Sequence, residues 1–141
     1  MKTIFKLFTS SFLVLACISV YAQCNPDGLS SKCNATLGPF TFLKSYKIDP
    51  VKAVNNTIEY SYVFSKDTQY LLMLCESGEN KNVIVTLYDQ SRKELASNFD
   101  KKSNKVLPGL GYKCGATGVY YMSFHIKDPA ACGLSVLGFQ K

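Results

Sequence analysis

The chain has 141 residues, 47% hydrophobic and 18% charged, with 16 Lys and Arg against 10 Asp and Glu and a formal net charge of +6. That length suits one domain with a buried core, and the apolar content excludes a disordered chain. Nine Gly and five Pro exclude a collagen-like or linker-dominated sequence.

In chain order, Lys2 and Lys6 precede an apolar stretch from Leu7 to Val20, which runs into Val20-Tyr21-Ala22-Gln23. A basic start, an apolar run and small residues at the −3 and −1 positions predict a secretory signal peptide over residues 1–22. The run is short for a membrane span. Cleavage would remove two lysines and leave 119 residues with a net charge of +4. The expected location is therefore secreted or periplasmic, with no membrane span once the leader is gone. Val14-Leu15-Ala16-Cys17 is a weak lipoprotein pattern, because cleavage there would cut the apolar stretch in half.

Residues 23–39, dense in Asn, Pro, Asp, Gly and Ser, read as a loop-rich lead-in to a domain at 40–141. From Phe40 the texture turns to short β-type runs. A strand is expected from Phe40 to Lys47, and Ile58, Tyr60, Tyr62 and Phe64 alternate with Glu59, Ser61 and Val63 in the next. Gln69–Cys75 is nearly all apolar, as in a central strand buried on both faces, and Asn82–Tyr88 follows the polar turn 76–81. Further strands are expected at Glu94–Phe99, Lys105–Leu107, Val119–Ile126 and Cys132–Phe139, while Asp49–Asn56 reads as a loop or a helical turn. About eight strands with no long 3.6-residue periodicity predict an all-β, antiparallel, jelly-roll-like β-sandwich.

Three stretches within residues 58–139 carry a family resemblance. They are Tyr60–Phe64 leading through Lys66-Asp67 to Tyr70–Leu74, then Val85-Thr86-Leu87-Tyr88-Asp89 with Leu95-Ala96-Ser97, and Thr117-Gly118-Val119-Tyr120-Tyr121. This part of the chain resembles the bacterial pre-peptidase C-terminal domain, a small β-sandwich found with extracellular enzymes. The resemblance implies a non-catalytic accessory fold. That family often places an acidic, calcium-binding residue before its "LYL" strand. Here Asn82-Val83-Ile84-Val85 stands there, so no metal is expected. The runs "FTFLK", "YSYVFSK", "FDKK" and "SVLGFQK" also look like small secreted proteins of Bacteroidota.

Cys17 would leave with the signal, and Cys24, Cys33, Cys75, Cys114 and Cys132 would remain, spaced by 9, 42, 39 and 18 residues. Zinc sites use close pairs, so an exported chain with these spacings predicts disulfides. If successive strands reverse direction, Cys75 and Cys132 fall at one end of the sandwich and Cys33 and Cys114 at the other. The expected bridges are therefore Cys75–Cys132 and Cys33–Cys114. Cys24 is left over, either as a near-terminal thiol or bridged to Cys33 with Cys114 free.

No GxSxG, HExxH, P-loop or GxGxxG pattern is present, so no catalytic residue and no cofactor is expected. His125, the only histidine, falls on the solvent side of its strand, and Glu76 with Glu79 sits in a polar turn expected to be solvated. Arg92 is the only arginine, and the lysines at 93, 101, 102 and 105 read as a protected strand edge, so nucleic acid is not an expected partner. Asn34-Ala35-Thr36 and Asn55-Asn56-Thr57 match the N-glycosylation pattern, which matters only in a glycosylating host. The expected function is a secreted, non-catalytic accessory or ligand-binding module whose partner is a glycan or a cell-surface protein. One form of it is a carbohydrate-binding module that stacks sugars on Tyr46, Tyr88, Tyr112 and Tyr121. A small extracellular hydrolase is the remaining alternative.

Overall fold

The computed structural model describes residues 25–78 and 82–141. The expected signal peptide and Cys24 lie outside the described residues. Ten strands follow one short helix: α1 (Ser30–Ala35), β1 (Thr41–Ile48), β2 (Thr57–Phe64), β3 (Gln69–Glu76), β4 (Val83–Tyr88), β5 (Glu94–Ser97), β6 (Phe99–Asp100), β7 (Lys105–Val106), β8 (Gly109–Lys113), β9 (Gly118–Ile126) and β10 (Gly133–Gln140). Eight of them form two four-stranded sheets, ordered β1-β10-β3-β8 and β2-β9-β4-β5, and β6 with β7 makes a separate hairpin. All pairings are antiparallel. First strand beside last and successive strands passing between sheets is the order of a jelly roll, as the strand pattern predicted.

The period-2 alternation decides which side chains go inside. Ile58 and Phe64 of β2, Val83, Val85 and Leu87 of β4, and Tyr120, Met122, Phe124 and Ile126 of β9 meet Tyr46, Ile48, Tyr70, Leu72 and Leu74 from the facing sheet. At one end of the sandwich this core is aromatic. Phe64 stacks on Tyr70 with ring centroids 3.9 Å apart and on Tyr120 at 4.8 Å, and Tyr112 lies 5.8 Å from Tyr120.

The β3–β10 sheet buries its other face as well. Leu71, Met73, Leu134 and Val136 pack there against Cys33 and Leu37 of the lead-in, with Leu29 and Phe40 alongside. The lead-in is therefore structured rather than loop-like. Leu29, Cys33 and Leu37 recur every four residues and present one apolar stripe to the sheet. Gly38, at φ +56°, ends the helical turn in the left-handed conformation open to glycine.

This path also corrects the disulfide pairing. Cys33 bonds to Cys75, with Cα atoms 5.6 Å apart, and Cys114 is a buried free thiol. Strand alternation places Cys75 and Cys132 at the same end as expected, where Ser77 N donates to Cys132 O at 2.9 Å. It fails for Cys33, because the lead-in folds back across the sheet and carries that residue to the opposite end. Cys132 is disulfide-bonded, but not to Cys75.

Strand β8 escapes the sequence pattern. Its Gly-Leu-Gly-Tyr-Lys lacks β-branched residues, yet Gly109 is required by packing, since a Cβ there would collide with the backbone oxygen of Leu72. Asp49–Asn56 resolves into a 3-10 turn at Pro50–Lys52 and a two-residue turn at Asn55 and Asn56 (φ 50° and 59°) joining Val54 to Thr57.

Candidate functional site

The aromatic end of the sandwich carries the turns 65–68, 89–93 and 114–117, which join β2 to β3, β4 to β5 and β8 to β9. Between the last two lies an open groove of about 510 Å³, lined among others by Gln90, Leu95, Tyr112, Thr117, Val119 and Tyr120. That volume falls within the roughly 300–1,000 Å³ of small-ligand sites.

One wall is a rigid loop. Asp89 Oδ1 accepts from Ser91 N (2.9 Å), Ser91 Oγ (2.8 Å) and Lys93 N (2.9 Å), and Arg92 takes a left-handed φ of +67°. The Ser91 hydroxyl and the turn amides hold the Asp89 carboxyl below its usual range, so it is ionised and engaged in its own turn. The other wall is tied down from below. Cys114 N donates to Thr68 O at 2.9 Å, Asp67 N to Cys114 O at 2.8 Å, and Lys66 N to Thr117 Oγ1 at 2.9 Å. Tyr120 OH donates to Ala116 O at 2.7 Å, and burial pushes that phenol up, so it keeps its proton. Gln90 extends over Gly118, where a Cβ would meet its Oε1 at 3.8 Å, and its exposed side-chain amide has no hydrogen-bond partner among the described residues.

The four candidate tyrosines separate. Tyr112 lines the groove. Tyr88 and Tyr121 are cross-strand partners on the outer face of the β2–β9–β4–β5 sheet, both half-buried. A face of the Tyr121 ring is occupied by the Arg92 guanidinium, 3.7 Å from its centroid, and that guanidinium reaches on to Glu59 Oε2 at 2.6 Å. Tyr46 is 2% exposed and packs on Tyr60 at 4.9 Å, which corrects its reading as a stacking platform. It faces the core because β1 enters the sheet with Tyr46 and Ile48 pointing inward.

His125 is exposed, as its position in β9 implied, with Nδ1 3.3 Å from Thr57 Oγ1. Glu76 overturns the expectation of solvation. It is 5% exposed and accepts from Val83 N at 3.2 Å and Asn82 N at 3.2–3.3 Å, closing the β3–β4 turn, while Glu79 lies outside the described residues. Burial pushes the Glu76 carboxyl up, against the turn amides that pull it down. Among the described residues no group of three or more His, Cys, Asp or Glu is placed to hold a metal, and no helix is long and apolar enough to cross a membrane.

The fold and the groove define a disulfide-stapled jelly-roll module. No protein-family model matches the chain, and no curated protein does. Among solved structures, it is similar to a periplasmic lysozyme inhibitor of g-type lysozyme from Aeromonas hydrophila (13% identity, TM-score 0.47), covering 72% of this chain and 89% of that one. It is also similar to the pre-peptidase C-terminal domain of a collagenase from Bacillus anthracis (12% identity, TM-score 0.43), covering 70% and 88%. The second is a domain of the class that the sequence motifs resemble.

Proposed function

We propose that the protein is an exported, non-catalytic β-sandwich module that binds a neutral glycan in the groove between the 89–93 loop and the 114–117 turn. The observation that carries this reading is the groove's chemistry. An aromatic and apolar wall (Tyr112, Leu95, Val119) stands beside an exposed side-chain amide that no group among the described residues engages (Gln90). Sugars are recognised by such a combination, with an apolar ring face against an aromatic wall and hydroxyls paired by planar polar groups. Hydrolysis would need a second carboxylate across the cleft. The one carboxylate lining this groove, Asp89, is engaged by its own turn. Export is supported by the N-terminal pattern and by the Cys33–Cys75 bridge, since disulfides persist in oxidising compartments.

A glycan array with the purified protein tests the proposal. Binding should be lost in Gln90→Ala, which removes the amide without touching the core, and in Tyr112→Ala, and should survive in Tyr88→Ala. An array silent across neutral glycans, or binding abolished by Tyr88→Ala alone, would overturn it.

A further inference from the structure

A jelly roll has four lateral strand edges, and an open edge invites pairing with another chain unless something blunts it. Three edges here are blunted. Strand β1 carries Lys44 and Lys47 and breaks register between Phe42 and Lys44. Strand β5 has four residues and an irregular register, and β8 has five residues, two of them glycine. Strand β2 is different: eight residues, Thr-Ile-Glu-Tyr-Ser-Tyr-Val-Phe, without lysine, proline or bulge, paired to β9 in unbroken register from Thr57 to Phe64.

The backbone geometry shows which groups that edge offers. Ile126 N donates to Asn56 O at 2.7 Å, and opposite residues in an antiparallel pair alternate between bonded and unbonded. Ile58, Tyr60, Tyr62 and Phe64 therefore turn their amides and carbonyls towards β9, while Thr57, Glu59, Ser61 and Val63 turn theirs outward. Thr57 spends both on Val54, at 3.0 Å each. The amides and carbonyls of Glu59, Ser61 and Val63 have no partner among the described residues. Val63 is in addition 57% exposed, with its β-branched side chain on the outer face.

The geometry points to a second copy of this chain as the occupant, its β2 antiparallel to this one about a two-fold axis through Ser61. The three outward residues are symmetric about that axis. Ser61 meets Ser61 and each Glu59 meets a Val63, so the six orphan backbone groups satisfy one another. The strand's only charge lands opposite an apolar residue instead of its own copy. Val54, closing the edge beside Thr57, limits the pairing to this window.

Sedimentation velocity over a range of protein concentrations tests the inference, with far-UV circular dichroism reporting the fold of each variant. The protein should associate to a dimer. Ser61→Pro, which deletes a central amide, should be monomeric. Val63→Glu, facing Glu59 of the other copy, should weaken association about tenfold through two like-charge contacts, while Val63→Lys, facing the same carboxylate, should hold or strengthen it. A protein monomeric at about 100 μM, where even a weak dimer with micromolar Kd would be populated, would overturn the inference and leave the edge to a strand from another protein. A dimer that Glu and Lys at position 63 affect alike would overturn it too.

Discussion

Asn98 offers the sharpest test of how the fold is held together. It is fully buried, at the bend between β5 and β6. Its Oδ1 accepts from Val85 N at 2.8 Å, and its Nδ2 donates to Leu107 O at 2.9 Å and to Val83 O at 3.3 Å. Its backbone makes two more bonds, from Asn98 N to Val85 O and from Leu107 N to Asn98 O. One side chain thus extends the pairing of β5 with β4 and ties both to the segment entering β8. In Asn98→Ala, the buried Val85 amide and the part-buried Leu107 carbonyl lose short partners and Val83 O loses a long one. At about 1–2 kcal/mol for each short bond and less for the long one, the cost should be about 3–4 kcal/mol. Such a loss is a large part of the roughly 5–15 kcal/mol that holds a domain folded. Asn98→Asp keeps the acceptor for Val85 N but turns an oxygen towards two carbonyls. At neutral pH it should cost more than the alanine variant, and it should recover as acid protonates the new carboxyl and restores a donor. Urea unfolding at about pH 7 and about pH 4 measures both effects. An alanine variant within about 1 kcal/mol of the parent, or an aspartate variant that does not recover in acid, would refute this account of Asn98.

Breaking the Cys33–Cys75 bridge by Cys33→Ala with Cys75→Ala should cost about 4 kcal/mol in urea unfolding, the loop-closure value for a separation of 42 residues. Alkylation of denatured, unreduced protein followed by mass spectrometry should label Cys114 and leave Cys33, Cys75 and Cys132 unlabelled. Native protein should leave Cys114 unlabelled as well, because that thiol is buried. The raised carboxyl of Glu76 fixes a sign of pH dependence. The folded state holds that proton more tightly than the unfolded chain, so this residue's contribution falls as pH rises from the ordinary value of 4.5 through the folded one and is level above it. Glu76→Gln, which keeps an acceptor for Val83 N, should flatten that part of the curve of urea midpoint against pH.

The sandwich itself was legible because its long strands alternate cleanly. Ile58 to Phe64 and Val119 to Ile126 carry their inward faces in plain sight, and Gln69 to Cys75 is apolar throughout because β3 is covered on both faces. Features set by tertiary contact were not. Three residues, Leu29, Cys33 and Leu37, are too few to announce a helix, and only the sheet beneath them makes the segment helical. The disulfide pairing failed for the same reason, since strand alternation says nothing about a segment that crosses a sheet face. In sequence, Glu76 looks like an ordinary polar turn residue and Asn98 like a polar position of the expected strand Glu94–Phe99. Their burial becomes visible only once the amides they serve are in place. Of the groove, the sequence indicated Tyr112 through its aromatic character. Gln90 had no signal, because nothing in the sequence places the 89–93 turn beside the 114–117 turn.

The most direct test of the groove as a binding site is amide chemical-shift mapping of the labelled protein titrated with the strongest glycan from the array. The account predicts perturbations gathered at residues 89–91, at Tyr112 and at 115–119, with the Tyr88–Tyr121 face and the β2 edge unmoved. Perturbations centred on Tyr88, Tyr121 and Arg92, or scattered without a focus, would contradict it.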